Sequence, residues 1–221
     1  MADGGDFWDG IAPDTIAMVR AVGTRRRFPR GATLLNEGDV AGRVLIVESG
    51  RVKISSLSPD GRETILAVRG PGQILAELSA IDGQPVSASA SALDDVEATS
   101  MPADEFRELL KTSGPVAFQL IRILTGRLRD ADLKRGEFGS MDAVTRVARR
   151  LVEMAERFGV DTGEELRIDL PLSQEEIAGW TGSSRESVSK ALQALRSRNV
   201  IETHRKSITI LDLEGLRRRA L

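Results

Sequence analysis

The chain changes its hydrophobic period at Ala103, and that switch limits the folds open to it. Between residues 24 and 100, β-branched runs such as RVLIVESG, RVKISSL and RETILAV are cut by Gly31, Gly38, Gly42, Gly50, Gly61, Gly70, Gly72 and Gly83. Short strands at this spacing predict a small β-barrel or sandwich. Ser58-Pro59-Asp60-Gly61 joins two of the runs, and a preset φ followed by a residue tolerant of positive φ predicts a hairpin turn there. A short amphipathic helix is expected ahead of the strands, with Ile16, Val19 and Val22 on one stripe after Pro13-Asp14. From Ala103 onward the spacing is helical. The expected class is α+β, with strands and helices in separate blocks.

Residues 114–138 read as one long helix with two apolar stripes. Ala117, Ile121, Leu124, Leu128 and Ala131 recur at +4, +3, +4, +3, the heptad spacing that suits a partner helix. Val116, Leu120 and Ile123 form a second stripe, placed to pack on the β-domain. One stripe alone also serves a single buried amphipathic helix; the two together favour a dimer helix. Glu137-Phe138-Gly139-Ser140 is expected to break it, and Ser140 or Asp142 to cap the next helix. That helix presents Val144, Val147, Ala148, Leu151, Val152 and Ala155 on its apolar face. The expected division is therefore 1–112, a β-domain with flanking helices; 113–138, the dimerisation helix; and 139–221, a helical domain.

Composition removes several function classes. The 221 residues contain no Cys and a single His, His204, so thiolate clusters, disulfides within the chain and histidine-rich metal or haem sites are excluded, and no metal site is expected. Aromatics are 4% with no Tyr, too few for a stacking platform that binds single strands. The N-terminus is acidic and glycine-rich, unlike a signal peptide, and apolar runs such as Val44–Val47 are too short to span a membrane. A cytoplasmic location is expected. The net charge of −2 hides a local basic patch: residues 183–206 carry Arg185, Lys190, Arg196, Arg198, Arg205 and Lys206 against Glu186 and Glu202.

That patch falls in the most informative segment, LSQEEIAGWTGSSRESVSKALQALRSRNVI, residues 172–201. Ser173 and Glu176 have capping-box spacing and open a short helix. Gly182 supplies a turn, and Ser183 or Ser184 caps a second helix. At about 100° per residue, Arg185, Glu186, Ser189 and Lys190 share one side of it, opposite Val188, Ala191, Leu192 and Leu195. A fork donor, a carboxylate, a hydroxyl and an ammonium on one face suit a helix that reads base edges: Arg donates to guanine O6 and N7, Glu accepts from cytosine N4. An ordinary hairpin with a solvated face has the same spacing, and Ser183-x-x-Glu186 also matches a second capping box. The flanking segments tip the balance. NVIETHRKSITIL reads as two strands joined by Thr203-His204-Arg205-Lys206, and EELRIDLPL as another, which together make a winged helix-turn-helix. His204, Arg205 and Lys206 then lie at the wing tip near phosphates. Ser173, Gln174 and Ser184 complete the expected DNA contacts.

Taken together, RGATLLNEGD, VLIVESGRVKI, PDGRE, GPGQILAEL, RVARRLVEMAE and GSSRESVSKAL resemble the CRP/FNR superfamily of bacterial transcription regulators over nearly the whole chain. The resemblance implies an N-terminal cyclic-nucleotide-binding-type β-roll, a dimerisation helix and a C-terminal winged helix-turn-helix. It also implies a homodimer on near-palindromic double-stranded DNA, with RNA polymerase as a further partner. Arg185 and Glu186 match the family's reading pair, whereas Lys190 replaces its last Arg and loses the bidentate fork. Ser189 resembles the FNR branch. A half-site different from the family's TGTGA-like sequence is expected.

The resemblance also implies an effector pocket, in ILAELSAIDGQPVSASA. Glu77 matches the family's ribose-hydroxyl acceptor, and Leu78, Ser87 and Ala88 stand at matching positions. The family's Gly is Ala76 here and its phosphate-pairing Arg is Val86. The base-contacting Thr-Ser pair appears as Ala131-Asp132, and Asp132 would repel an anion. Arg62, Arg69 or Arg129 could substitute for the missing cation. Cyclic AMP is therefore disfavoured. Two rivals remain beside an effector-controlled regulator: an architectural DNA-binding protein with a purely structural roll, and an enzyme. Carboxylate pairs such as Asp94-Asp95 and Glu175-Glu176 are weak support for the enzyme, and no phosphate loop or nucleophile elbow accompanies them. No enzymatic activity is expected.

Overall fold

The computed structural model describes residues 5–58, 61–161, 163, 165–169 and 171–221, without the Phe138 side chain. Pro59 and Asp60 of the expected hairpin turn lie outside the described residues. The chain divides into two compact units, Met1–Leu57 with Leu66–Asp132, and Ser58–Ile65 with Leu133–Leu221.

In the first unit, α1 (Pro13–Val22) precedes β1 (Thr24–Phe28), β2 (Thr33–Leu35), β3 (Arg43–Ser49), β4 (Val52–Leu57), β5 (Glu63–Arg69) and β6 (Ile74–Leu75). Then come α2 (Glu77–Asp82), β7 (Ser89–Ala92), β8 (Val96–Pro102), α3 (Ala103–Thr112) and α4 (Gly114–Ser140). Two four-stranded sheets form, in the orders β1-β8-β3-β6 and β2-β7-β4-β5. The apolar run of β3 serves both faces of its sheet. Leu45 and Val47 join Val52, Leu75, Ala90 and Ala98 in one core, while Val44 and Ile46 join Val19, Phe106, Val116 and Leu120 in another. A strand covered on both sides reads as continuous rather than alternating.

The N-terminal segment also enters the second of these cores. Phe7 is fully buried, Ile11 nearly so, and Trp8 packs beside them. The Phe7 N–H donates to the Gly72 carbonyl at 2.7 Å, and Gln119 Nε2 to the Asp6 carbonyl at 2.6 Å. On α1 only Val19 and Ile16 face the core. Val22, expected on the same stripe, is exposed.

Helix α4 does not break at Glu137. It continues to Ser140, because Glu137 is buried and accepts from Arg149 Nη1 at 2.9 Å and from Arg150. Those charge-assisted bonds offset the helix cost of Gly136 and Gly139, about 1 kcal/mol each. Asp142 then caps α5 (Ala143–Phe158), accepting from the Thr145 N–H at 2.8 Å, and that backbone bond holds its carboxyl below the usual carboxylate range. Beyond α5 the second unit holds β9 (Val160–Asp161), β10 (Leu166–Asp169), α6 (Gln174–Thr181), α7 (Arg185–Arg196), β11 (Ile201–His204), β12 (Ser207–Ile210) and α8 (Leu213–Arg219). Its sheet has the order β11-β12-β10-β9. Val147, Ala148, Leu151 and Met154 of α5 form its buried face, with Val144 and Val152 at the margin.

Candidate nucleic-acid interface and effector pocket

The start of α6 closes as a reciprocal capping box. Ser173 Oγ accepts from the Glu176 N–H at 3.1 Å, and the Glu176 carboxylate accepts from the Ser173 N–H at 2.8 Å. Gly182 ends α6 in the left-handed region, φ 56°, where a residue without Cβ is least strained. Ser184, rather than Ser183, caps α7 and accepts from the Ser187 N–H at 3.1 Å. Glu186 is thereby released from any capping box.

Helix α7 is sharply two-faced. Val188, Ala191, Leu192 and Leu195 are buried, while Arg185, Glu186, Ser189 and Lys190 are exposed. Glu186 and Lys190 pair across one turn at 2.7 Å, with side chains 77% and 73% exposed. The Lys190 hydrogen bond, and then its charge, hold the Glu186 carboxyl below the usual carboxylate range. Ser173, Gln174 and Ser184 are exposed at the helix starts, the two serine hydroxyls being occupied as caps. At the wing, His204 is the last paired residue of β11, opposite Ser207, so the turn is Arg205-Lys206 alone and not the four residues expected. Arg205 and Lys206 are exposed, with Lys206 at φ 65°.

Periodicity gave no hint of the residue that steadies this hairpin. Arg146 of α5 donates through Nε to the Thr181 carbonyl at 2.7 Å and through Nη2 to Ser183 Oγ at 3.1 Å, with a further bond to the Met141 carbonyl. One planar guanidinium thus ties α5 to the turn that precedes the exposed face.

The second candidate site lies in the first unit. Ala76 takes φ 61° just ahead of α2, and Glu77 is 4% exposed. Its carboxylate accepts from Arg127 Nη1 at 2.6 Å, and Arg127 Nη2 donates to the Ile74 carbonyl at 2.7 Å. Val86 and Ala88 are buried, Leu78 and Ser87 exposed. Arg129 and Asp132, expected here, are exposed, and the cation on Glu77 is Arg127 instead. Residues two positions apart on a helix differ by about 200°, so Arg129 cannot share the face of Arg127. The signal was present: adding four to Val116, Leu120, Ile123 continues that stripe to Arg127. On the other stripe, Ile121 and Leu128 are exposed, Ala131 is exposed, Ala117 is half-buried and Leu124 packs partly on the core. Phe118, absent from the sequence reading, adds an exposed ring.

Comparison with known proteins decides the family. The cyclic nucleotide-binding domain matches residues 25–113, and the Crp-like helix-turn-helix domain residues 145–219. A CRP-like cAMP-activated global transcriptional regulator of Mycobacterium tuberculosis is 39% identical over 214 residues, covering 97% of this chain and 96% of the relative. The chain belongs to the CRP/FNR superfamily. The cyclic AMP receptor protein of Thermus thermophilus is 31% identical, covering 90% of this chain and 88% of its own length. A solved CRP-family transcriptional regulator from the same organism superposes with a TM-score of 0.76 at 28% identity, covering 88% of this chain and 96% of that one. The protein is accordingly a DNA-binding transcription regulator, in a family without enzymatic members, and its α+β fold is the family's. Among the described residues no helix of the regulator is long and apolar enough to cross a membrane.

Proposed function

We propose that this regulator acts in the cytoplasm as a homodimer on near-palindromic DNA, in contact with RNA polymerase, and that cyclic AMP is not its effector. The observation that carries the DNA reading is the exposed face of α7, whose opposite side is buried and whose preceding turn is held by Arg146. Arg185 donates to guanine, Glu186 and Lys190 meet neighbouring base edges once their mutual pair opens, and Ser189 adds a short donor. Arg205, Lys206 and His204 contact phosphates. The exposed stripe of Ile121, Leu128 and Ala131, with Leu124 and Ala117 between, supplies the self-association seam. Half-sites then lie about one helical turn apart, roughly 34–36 Å.

Against cyclic AMP stands Val86, which brings no charge where the family pattern has Arg. The residues present do not fit a cyclic phosphate. Selection of bound sites from random DNA, with light scattering on the same sample, tests the reading. A dimer that enriches a two-fold-related site is expected, and Leu124→Asp should dissociate it by burying an unpaired charge. A monomer, or no enriched site, would overturn it. Isothermal titration should show no cyclic AMP binding by the unmodified protein and a gain for Val86→Arg.

A further inference from the structure

Arg146 is the fourth residue of α5, at the end of a helix where the backbone dipole disfavours a cation. Its side chain leaves that helix and serves the C-terminal ends of two others. Nε donates to the carbonyl of Thr181, the last residue of α6, at 2.7 Å, and Nη1 donates to the carbonyl of Met141, one residue beyond α4. Terminal carbonyls lack a partner within their own helix, and the dipole there favours positive charge. Thr181 is only 1% exposed, so water cannot readily replace the guanidinium at its carbonyl. The third branch, Nη2, donates to Ser183 Oγ at 3.1 Å, and that hydroxyl donates in turn to the Thr181 carbonyl at 3.3 Å. The Ser183 N–H closes the same turn on the Ala178 carbonyl at 2.9 Å. Ser183 is thus engaged inside the turn, while its neighbour Ser184 caps α7 and Arg185 opens it. Where Arg185 stands follows from a two-residue link whose near end Arg146 holds.

We propose that Arg146 is a positioning residue for base reading: its fork joins the end of α4 to the α6–α7 turn, fixes where α7 starts, and so sets how well Arg185 separates cognate from random DNA. The inference rests on the reading of the chain as a DNA-binding homodimer, and it gives Arg146 no contact with DNA. The planar fork is what the role needs. An ammonium is a single point of donation and cannot hold the Met141 carbonyl, the Thr181 carbonyl and the Ser183 hydroxyl in one fixed geometry.

Affinity measured by fluorescence anisotropy, on a site selected from random DNA and on a scrambled duplex, tests it. Arg146→Lys and Arg146→Ala should each lower cognate affinity by at least about tenfold. Affinity for the scrambled duplex, and its salt dependence, should stay at the parent's values. Ser183→Ala, which removes one branch alone, should lose less than either. A variant that melts earlier yet keeps the parent's ratio of cognate to scrambled affinity would overturn the proposal, because the role would then be structural only. Equal losses on both duplexes with a shallower salt dependence would overturn it too, by placing Arg146 on a phosphate. If Arg146→Ala does not fold, Arg146→Lys decides by the same ratio. A parent protein that enriches no site fails at the DNA-binding reading itself, whereas a parent that selects a site and an Arg146→Lys with an unchanged ratio overturn this proposal alone.

Discussion

Two acid–base pairs in the helical unit have the same chemistry and opposite surroundings. Arg150 and Glu137 join α5 to the end of α4 with side chains 7% and 9% exposed, whereas Lys190 and Glu186 lie along α7 with 73% and 77% exposed. The first pair cannot exchange its partners for water without leaving a buried charge, so it behaves as structure. The second exchanges with water at little loss, which leaves both groups open to other partners. What suits a charge for recognition is its access to solvent more than its identity.

Removing one member of each pair sharpens that contrast. The largest effect is expected for Glu137→Ala, which strands Arg150 with only Glu153, at 2.7 Å, and should cost about 3 kcal/mol in urea denaturation. A loss no greater than that of an exposed pair would break the comparison. Next, Arg185→Ala should weaken cognate DNA by about 1–3 kcal/mol and leave random DNA nearly unaffected, as read by competition binding. Arg205→Ala, at the wing, should weaken all sequences alike and reduce the salt dependence by about one phosphate contact. Lys190→Ala should leave the melting temperature unresolved from the parent while shifting the selected half-site.

The smallest effect concerns pH. Asp142 is held below the usual carboxylate range by the Thr145 N–H, so its contribution to stability is present above its unfolded value. That contribution fades as pH falls through the lower folded value. Asp142→Asn keeps a cap but cannot titrate, and should flatten the acid limb of the stability profile.

How much of this was legible depended on whether the signal was local. Capping-box spacing, the Gly182 turn, the two faces of α7 and the strand runs of the roll each involve residues within a turn or a few strand positions of one another. Sterics and hydrogen bonding at that range follow from residue order. The long helix was legible only in part. The stripe of Val116, Leu120 and Ile123, which faces the roll, continues to Arg127 and, at the same +4, +3 spacing along the helix, to Asp130, Lys134 and Glu137, the last of which meets α5 instead. A search for apolar periodicity stops where the stripe turns polar, so Arg127 and Glu137 were passed over and the helix end was expected at 138, just short of Ser140.

By itself the sequence determined the class, the order of strands and helices, the two faces of α7 and the family these imply. Tertiary structure alone decided which charges are used internally. Arg127 meets Glu77 fifty residues away, Arg146 meets the turn at Thr181 thirty-five residues on, and the N-terminal Phe7 fills a core lined from β3 to α4. Neither composition nor period distinguishes an arginine in water from one whose fork closes on a buried carboxylate. The difference is desolvation, a property of the surroundings that distant segments create by folding together.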